Sequence, residues 1–180
     1  LGGIASVKAE PSGTSHILNA SDLALGDITA TKAVDDYFTL TASSDKALTI
    51  DEHTKSMDGL DFKKRIKTNG GGSKTSRNIS FTTNGAADIV VYGMSGSSKE
   101  TRNLVLEGKK TAADATKSND GSAIGKFEYH VDEADTFYLY SGKSGFNIYY
   151  VSVTEEASGN GESGTTGDGD VSGSDVSGGD

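Results

Sequence analysis

Hydrophobic and polar residues alternate along most of the middle of the chain. In the stretch 77–83, RNISFTT, the apolar residues Ile79 and Phe81 alternate with Asn, Ser and Thr. The stretch 37–43, YFTLTAS, shows the same alternation. A period of two places successive side chains on opposite faces of a strand. Each stretch therefore predicts a β-strand with one buried face.

Other segments are rich in β-branched and aromatic residues and also predict strands. These segments are 62–67, 87–94, 102–108, 125–131, 136–141 and 146–153. Clusters of Gly, Asn, Asp and Ser separate them and indicate turns. Only residues 107–117, EGKKTAADATK, are compatible with a helical turn or two. About eight to ten short strands predict an all-β fold, an antiparallel β-sandwich of the jelly-roll type.

The two ends of the chain differ in composition from its middle. Residues 155–180 contain seven acids, no Lys or Arg and no aromatic residue. Such a segment cannot bury enough apolar surface to offset its ordering entropy, so it predicts a disordered acidic Gly/Ser linker. We therefore expect a flexible N-terminal segment (1–14), a β-sandwich module (15–154) and this linker. A linker and a first residue other than Met indicate a piece of a longer polypeptide.

The linker carries much of the negative charge of the chain. The formal net charge of the 180 residues is -9, and seven of the 26 acids lie in residues 155–180. The remaining 19 acids and 17 bases leave residues 1–154 near -2. Within them, residues 63–110 hold ten bases and three acids. This local excess favours an anionic partner, although a solvated surface of mixed charge is the alternative.

A row of cations occurs in the sequence FKKRIK. Alternation along a strand would place Phe62, Lys64 and Ile66 on the side that faces the core. The cations of the opposite side are Lys63, Arg65 and Lys67. They would span about 13 Å and suit a polymer that carries carboxylates at regular spacing. The alternative is an edge strand that lysine protects against aggregation.

Other residue types exclude several kinds of chemistry. The chain has no Cys, which rules out disulfides, thiolate catalysis and cysteine-based zinc sites. His16, His53 and His130 show no metal-ligand spacing. Two carboxylate clusters can in principle hold Ca²⁺ or act as an acid–base pair, but they are typical of solvated turns. The clusters are Asp51, Glu52, Asp58 and Asp61, and Asp132, Glu133 and Asp135. We predict neither catalysis nor a cofactor, and a structural Ca²⁺ is not indicated.

The aromatic residues are seven Tyr and six Phe, without Trp. Most of them fall at strand positions, where packing in the core is their expected role. The neighbours Tyr149 and Tyr150 are expected on opposite faces of their strand, which leaves one of them exposed. The absence of Trp disfavours a flat platform for neutral crystalline glycans. Nucleic acid is also disfavoured, because no aromatic residue lies among the cations of 63–67.

Five motifs occur in order over roughly residues 28–154: FKKRIKTNG, SRNISF, VVYGMSGS, TRNLVL and LYSGKSGFNIYYVSV. In this order they resemble the β-sandwich modules appended to bacterial pectate lyases and pectin esterases. The family they resemble is the family-77 carbohydrate-binding module, a pectin binder. A turn of small residues that leads into NIYYV ends these modules. Residues 109–122 fit the family pattern poorly and leave Lys109, Lys110 and Lys117 without a role.

The resemblance implies binding of weakly esterified homogalacturonan through lysine side chains, without calcium at the sugar contact. The matching positions are Lys67 in RIKTNG and Lys143 in SGKSG. Charge and strand face add four more candidates for the binding strip. These are Lys63, Arg65, Arg77 and Arg102. The glycine run after Lys67 would let the loop approach the polymer closely.

The sequence thus predicts a non-catalytic carbohydrate-binding module that targets an attached pectinolytic enzyme to the plant cell wall. The expected partners are polygalacturonate, an acidic plant polysaccharide, and a catalytic module in the same polypeptide. We expect a secreted, extracellular monomer of bacterial origin that does not bind nucleic acid. We also expect no contact with a membrane, since no run of about 18 apolar residues occurs. The alternative is a structural or adhesion spacer of a multimodular surface protein, without a sugar site. A lyase or hydrolase is disfavoured, because no β-helix repeat and no acid–base constellation is evident.

Overall fold

The computed structural model describes residues 13–157, which form thirteen β-strands and one short 3-10 helix. The predicted terminal segments, 1–14 and 155–180, lie largely outside these residues. The first strands are β1 (Ser15–Asn19), β2 (Gly26–Ile28), β3 (Lys32–Ala33), β4 (Thr39–Thr41), β5 (Leu48–Met57), β6 (Leu60–Lys67) and β7 (Asn78–Thr83). The others are β8 (Ala87–Ser95), β9 (Arg102–Gly108), β10 (Asp114–Asn119), β11 (Gly125–Val131), β12 (Asp135–Ser141) and β13 (Phe146–Glu155). The 3-10 helix is Ala20–Asp22. Between residues 13 and 157, no helix has the length and apolar character needed to cross a bilayer.

The strands form two sheets whose pairings are all antiparallel. Sheet A has seven strands, in the order β11-β8-β13-β6-β5-β2, and β1 also pairs with β13. Sheet B has six strands, in the order β10-β9-β12-β7-β4-β3. Apolar residues from both sheets form one core cluster, so the predicted antiparallel β-sandwich is confirmed.

The core follows the alternation seen in the sequence. Ile79 and Phe81 of β7 are 2% exposed and lie in the core, as the period of two predicts. Phe137 and Leu139 of β12 contribute to it in the same way. Each large apolar side chain buried in this way contributes about 1.5–3 kcal/mol to folding. The inward-facing residues of the strands therefore form the core between the two sheets.

Sheet A carries a second apolar cluster on its outer face. Along β8, Ile89 and Val91 enter the core, whereas Tyr92 and Met94 belong to the second cluster. Alternate residues of a strand point to opposite faces, so the second cluster lies outside the sandwich core. We call it the outer aromatic cluster, and its buried members are Phe62, Tyr92, Met94 and Tyr149.

The prediction that Phe62 and Ile66 share the core face is wrong. Ile66 lies in the core, but Phe62 packs in the outer aromatic cluster, 5.4 Å from Tyr92 between ring centroids. The register between β5 and β6 shifts between Glu52 and Lys55. The extra residue of this bulge lies on β5, where three steps oppose two on β6. The register shift by itself therefore does not place Phe62 on the outer face.

The prediction that Tyr149 and Tyr150 point to opposite faces is also wrong. The register of β13 against β8 shifts between Ile148 and Tyr150, so the strand contains an extra residue there. Ile148 and Val151 therefore both reach the core although they are three residues apart. Both tyrosines pack against Phe62, with ring centroids 5.9 and 5.8 Å away, and neither is exposed.

Five strands were not among the predicted segments: the short β1, β2 and β3 near the start of the described chain, and β5 and β10. Strand β5 reads LTIDEHTKSM, and its residues from 51 to 56 are all polar and alternate between half-buried and exposed, so no apolar alternation marks this part of the strand. The sequence of residues 107–117 was compatible with a helical turn, but strand β10 begins within it, at Asp114. That expectation is wrong, because β9 extends to Gly108 and the polar β10 pairs with it at the edge of sheet B.

The last strand ends one residue beyond the predicted module boundary at 154. Glu155 is only 8% exposed, and its carboxylate accepts hydrogen bonds from the Tyr37 hydroxyl (2.7 Å) and from the Asn84 amide (2.8 Å). Burial, followed by the nearby Glu155 carboxylate, raises the pKa of Tyr37 far above its ordinary range, so its hydroxyl stays protonated and donates. Glu155 therefore fastens the end of β13 to the module.

Candidate functional site

Three loops meet at one end of the sandwich. They are 68–77 between β6 and β7, 96–101 between β8 and β9, and 142–145 between β12 and β13. Backbone hydrogen bonds join them, from Gly72 to Ser141 (2.8 Å) and from Gly96 to Gly145 (3.0 Å). We call this surface the basic end. Its cations are Arg65, Lys67, Lys74, Arg77, Lys99, Arg102 and Lys143.

A glycine allows the loops of the basic end to approach one another. A methyl group on Gly72 would overlap the carbonyl oxygen of Arg77 and lie 2.8 Å from Cβ of Tyr140. Arg77 itself has a positive φ of 47°, a conformation that is uncommon for residues other than Gly, Asn and Asp. Its Nε donates to the carbonyl oxygen of Ala47, 3.3 Å away. Arg77 is therefore half-buried and supports the loop.

Arg65 and Lys67 share a carboxylate on the neighbouring strand. Nε and Nη2 of Arg65 donate to Oδ1 and Oδ2 of Asp51, at 2.7 and 3.2 Å. Nζ of Lys67 lies 3.9 Å from Oδ2 of the same residue. The hydrogen bond from Arg65 lowers the pKa of Asp51, which stays ionised. The sequence interpretation placed Asp51 in a solvated turn, but it lies on β5 directly opposite Arg65.

Arg102 and Lys143 share a second carboxylate. Nη2 of Arg102 lies 2.6 Å from Oε1 of Glu100, and its Nη1 donates to the Gly145 carbonyl at 2.7 Å. Nζ of Lys143 lies 3.3 Å from Oε2 of Glu100. The hydrogen bonds from Arg102 and then from Lys143 lower the pKa of Glu100. The Lys143 side chain is 72% exposed and that of Arg102 only 13%, so the arginine braces two loops and the lysine projects from them.

The structure does not bring Lys63 to the basic end. Lys63 lies four residues before Lys67, about 13 Å along the strand, and borders a separate cavity of about 550 Å³. The other residues that line this cavity are Ser21, Glu52, Thr54, Asp61, Phe62 and Lys64. Nζ of Lys64 donates to the Leu23 carbonyl at 2.7 Å, at the margin of the sheet. Five of the six candidate residues are thus gathered at one end, and Lys63 stands apart.

Positive charge predominates at the basic end. Five of its seven cations pair with three carboxylates, Asp51, Glu100 and Glu107. Arg77 instead donates to the Ala47 carbonyl. Arg65 holds Asp51, and Arg102 holds Glu100. The amines of Lys67 and Lys143 lie farther from these carboxylates, at 3.9 and 3.3 Å. An arrangement of this kind presents exposed point charges on a braced scaffold, which suits carboxylates of an acidic polymer.

The aromatic residues do not form a stacking platform at the basic end. All thirteen lie between residues 37 and 150, within the described part of the chain, and none is classed as exposed. Nine are buried; the half-buried ones are Tyr37, Tyr138, Tyr140 and Tyr150. The groups that this end offers to a ligand are therefore charges and hydrogen-bonding groups.

The carboxylates of the two predicted clusters do not converge on one point. Asp58 accepts from the Tyr92 hydroxyl (2.7 Å), and Asp61 accepts from the Ser56 hydroxyl (2.8 Å). Asp135 accepts from the amide and hydroxyl of Thr111. Asp51 and Glu52 lie on β5, Asp61 lies on β6, and Asp135 on β12 is only 6% exposed. The interpretation of the clusters as solvated turns is therefore wrong for most of their members.

The histidines have separate environments. Nδ1 of His53 lies 2.7 Å from the Tyr149 hydroxyl, at the edge of the outer aromatic cluster. His130 contacts Asp88 (2.7 Å) and Asp132 (3.1 Å) at the opposite end of the molecule. The polar atoms of Asp88, His130 and Glu156 lie within 4.8 Å of one another, and all three side chains are exposed. These residues are distant in the sequence, so no spacing motif could have indicated their proximity.

No protein-family model matches the chain, and no curated protein matches it. The solved structures that it is similar to include carbohydrate-binding modules. One is the CBM22-1 xylan-binding domain of Paenibacillus barcinonensis Xyn10C, with 11% identity over 83% of this chain and 100% of that chain and a TM-score of 0.48. Another is the CBM36-1 domain of a multidomain xylanase from the hindgut metagenome of Trinervitermes trinervoides, with 13% identity, 80% and 99% coverage and a TM-score of 0.42.

A third is the C-terminal CBM6 of LamC, a marine laminarinase from Zobellia galactanivorans. Its identity is 14%, the coverage is 79% of this chain and 100% of that chain, and the TM-score is 0.40. The pectin-specific family 77 is not confirmed by these comparisons, and the resemblance to it stays a prediction.

Proposed function

We propose that this chain is a non-catalytic carbohydrate-binding module whose basic end binds acidic pectin, in the form of weakly esterified homogalacturonan. The observation that carries the proposal is the convergence of Lys67, Lys143 and three arginines at the end of the β-sandwich where three hydrogen-bonded loops meet. The resemblance of the sequence motifs to a pectin-binding family supports the same ligand.

The lysines of the basic end are suited to exchange their present partners for ligand carboxylates. Lys67 is 3.9 Å from Asp51, whose carboxylate Arg65 already holds at two points. Lys143 is largely exposed and 3.3 Å from Glu100. An exposed ion pair contributes about 0–1 kcal/mol, so little is lost when such an amine turns to a ligand. Binding through several such contacts is expected to be moderate in strength and to weaken with salt.

The chain enters and leaves the sandwich at the end opposite to the basic end. The start of β1 pairs with the end of β13, and the Glu155 amide donates to the Thr14 carbonyl at 2.8 Å. A pectinolytic enzyme attached through residues 155–180 would therefore leave the basic end free to contact the polymer. Tethering raises the effective concentration of such an enzyme on its substrate. In this proposal the protein acts outside the cell, on the plant cell wall.

Affinity gel electrophoresis with polygalacturonate and with highly esterified pectin tests the proposal. We expect polygalacturonate to retard the protein at low salt, and the retardation to fade with esterification and with added salt. Absence of retardation by polygalacturonate at low salt would contradict the proposal. It would favour the alternative, a structural or adhesion spacer domain.

A further inference from the structure

The outer face of sheet B has a different character from the basic end. Phe137 and Leu139 of β12 enter the core, so Tyr138 and Tyr140 point outward from the sheet. Both tyrosines are half-buried, and they lie about 6.6 Å apart along the strand. They form the centre of the surface that we call the tyrosine face.

Pairing across the four central strands of sheet B places hydroxyl groups beside the tyrosines. One cross-strand row consists of Thr39, Ser80, Tyr138 and Glu107. The next row consists of Thr41, Asn78, Tyr140 and Val105. Thr41 and Tyr140 are half-buried, whereas Asn78 and Val105 are 1% and 3% exposed and present little surface. The hydroxyls of Thr82 and Thr136 lie 2.9 Å apart beyond the first row. With strands about 4.8 Å apart, the rows span about 14 Å across β4, β7, β12 and β9.

The tyrosine face has almost no free charge. Among the described outward positions of these four strands, Glu107 is the one charged side chain. Its carboxylate accepts a hydrogen bond from the Tyr140 hydroxyl (2.7 Å) and lies 3.8 Å from Nζ of Lys74. Burial, and then the neighbouring Glu107, raises the pKa of Tyr140 to about 12, so this donor is retained at neutral pH.

This chemistry favours one class of ligand. An anionic polymer would meet the Glu107 carboxylate, and an apolar protein partner would meet rows of Thr and Ser hydroxyls that it cannot satisfy. A neutral sugar chain offers hydroxyls to these rows and an apolar ring face to the aromatic side chains. The face thus matches an uncharged polyol in its charge, its hydrogen-bonding groups and its aromatic centre.

We propose that the tyrosine face is a second glycan-binding surface, which takes a neutral polysaccharide chain of pyranose units across Tyr138 and Tyr140. It adjoins the basic end, where Tyr140 lies beside Gly72 and Glu107 pairs with Lys74. It differs from the basic end in its low charge and in its ligand class. A module with both surfaces would bind an acidic and a neutral cell-wall polymer at the same time.

Affinity gel electrophoresis with four soluble neutral polysaccharides tests this proposal: xyloglucan, mixed-linkage β-glucan, galactomannan and arabinoxylan. We expect at least one of them to retard the protein to the same extent at low and high salt. Tyr138→Ala and Ser80→Asp should each weaken that binding about tenfold or more, because one removes the aromatic contact and the other places a charge at the centre of the face. Retardation by polygalacturonate should not change in either variant.

The matched control is Ser152→Asp. Ser152 is a half-buried strand residue like Ser80, but it lies on the outer face of sheet A. We expect Ser152→Asp to retain neutral-glycan binding, and thermal unfolding of all variants checks that they fold. Tyr138→Phe keeps the ring and should retain most of the binding if Ala at this position unfolds the protein. Failure of all four polysaccharides to retard the protein overturns the proposal, as does binding that Tyr138→Ala and Ser80→Asp leave unchanged.

Discussion

Arg65 on β6 and Asp51 on β5 form a two-point ion pair, with Nε–Oδ1 and Nη2–Oδ2 distances of 2.7 and 3.2 Å. The Arg65 side chain is only 19% exposed. A forked contact between a guanidinium and a carboxylate is stronger and more directional than a lysine contact. The arginine therefore joins two strands, whereas Lys67, 3.9 Å from the same carboxylate, remains available to a ligand.

Removal of Arg65 should affect stability more than removal of Lys67. We expect Arg65→Ala to lower the free energy of unfolding by about 1–3 kcal/mol, because Asp51 loses its charged hydrogen-bond partner. Lys67→Ala should change it by less than about 0.5 kcal/mol, as for other surface substitutions. Urea denaturation of both variants measures the difference, and equal losses of stability would contradict the structural role of Arg65.

The lysines should carry the affinity for polygalacturonate. We expect Lys67→Ala and Lys143→Ala each to weaken binding about three- to tenfold, since each removes one exposed charge contact of about 0.6–1.4 kcal/mol. Lys109→Ala is the matched control, because Lys109 is exposed but follows the far end of β9. Calorimetry with oligogalacturonate measures these affinities. An equal loss in Lys109→Ala would indicate that binding reflects overall charge and not a site.

The packing of the loop at Gly72 should also be required for binding. A methyl group at this position overlaps the Arg77 carbonyl and lies 2.8 Å from Cβ of Tyr140. We expect Gly72→Ala to displace the loop 68–77 and weaken polygalacturonate binding about tenfold, while the rest of the fold is retained. A methyl group on Gly85 meets no atom within 4 Å, so Gly85→Ala is the control. Unchanged binding in Gly72→Ala would show that the loop is not part of the site.

The pKa of His130 should lie above the ordinary histidine value of 6.5, and the pKa of His53 should lie below it. The hydrogen bond to Asp88 is the main reason why the pKa of His130 is raised above 6.5. Burial, followed by the charges of Arg65 and Lys55, lowers the pKa of His53 below 6.5. NMR titration of the imidazole resonances measures both values. A His130 that titrates below His53 would contradict the contacts described for these two side chains.

These opposite pKa shifts have opposite effects on stability. The pKa of His130 is higher in the folded state than in the unfolded chain. Its contribution to the stability of the fold is therefore complete below pH 6.5 and is lost as the pH rises through the folded-state pKa. Because the folded-state pKa of His53 is lower, protonation of this residue destabilises the fold as the pH falls below 6.5. We expect His130→Gln to reduce the melting temperature at pH 5.5 more than at pH 8.5. An equal reduction at both pH values would argue against the ion pair with Asp88.

The sandwich could be predicted from the sequence because its core strands alternate strictly. Ile79 and Phe81 reveal both the strand and its buried face, and burial of such residues determines the fold. The alternation fails at Tyr149, because a β-bulge inserts an extra residue into β13 where it pairs with β8. It also fails along β6, where Phe62 and Ile66 lie on opposite faces although they are four residues apart. A bulge depends on the partner strand, which the local sequence does not contain.

The candidate site could be predicted only in part, for a related reason. The charge excess of residues 63–110 and the motif around Lys143 indicated the cations. Their carboxylate partners were missed, because Asp51 and Glu100 meet Arg65 and Lys143 through sheet and loop contacts between residues 14 and 43 positions apart. The tyrosine face was also missed, since cross-strand rows become visible only when the order of strands in sheet B is known.

The central claim is that the basic end binds the polysaccharide, and NMR titration of isotope-labelled protein with oligogalacturonate tests it most directly. We predict that backbone amide shifts will concentrate in the loops 68–77, 96–101 and 142–145 and at Lys67. Amides near Lys109 and on the tyrosine face should be unaffected. Shifts that occur elsewhere, or none at millimolar ligand and low salt, would contradict the claim.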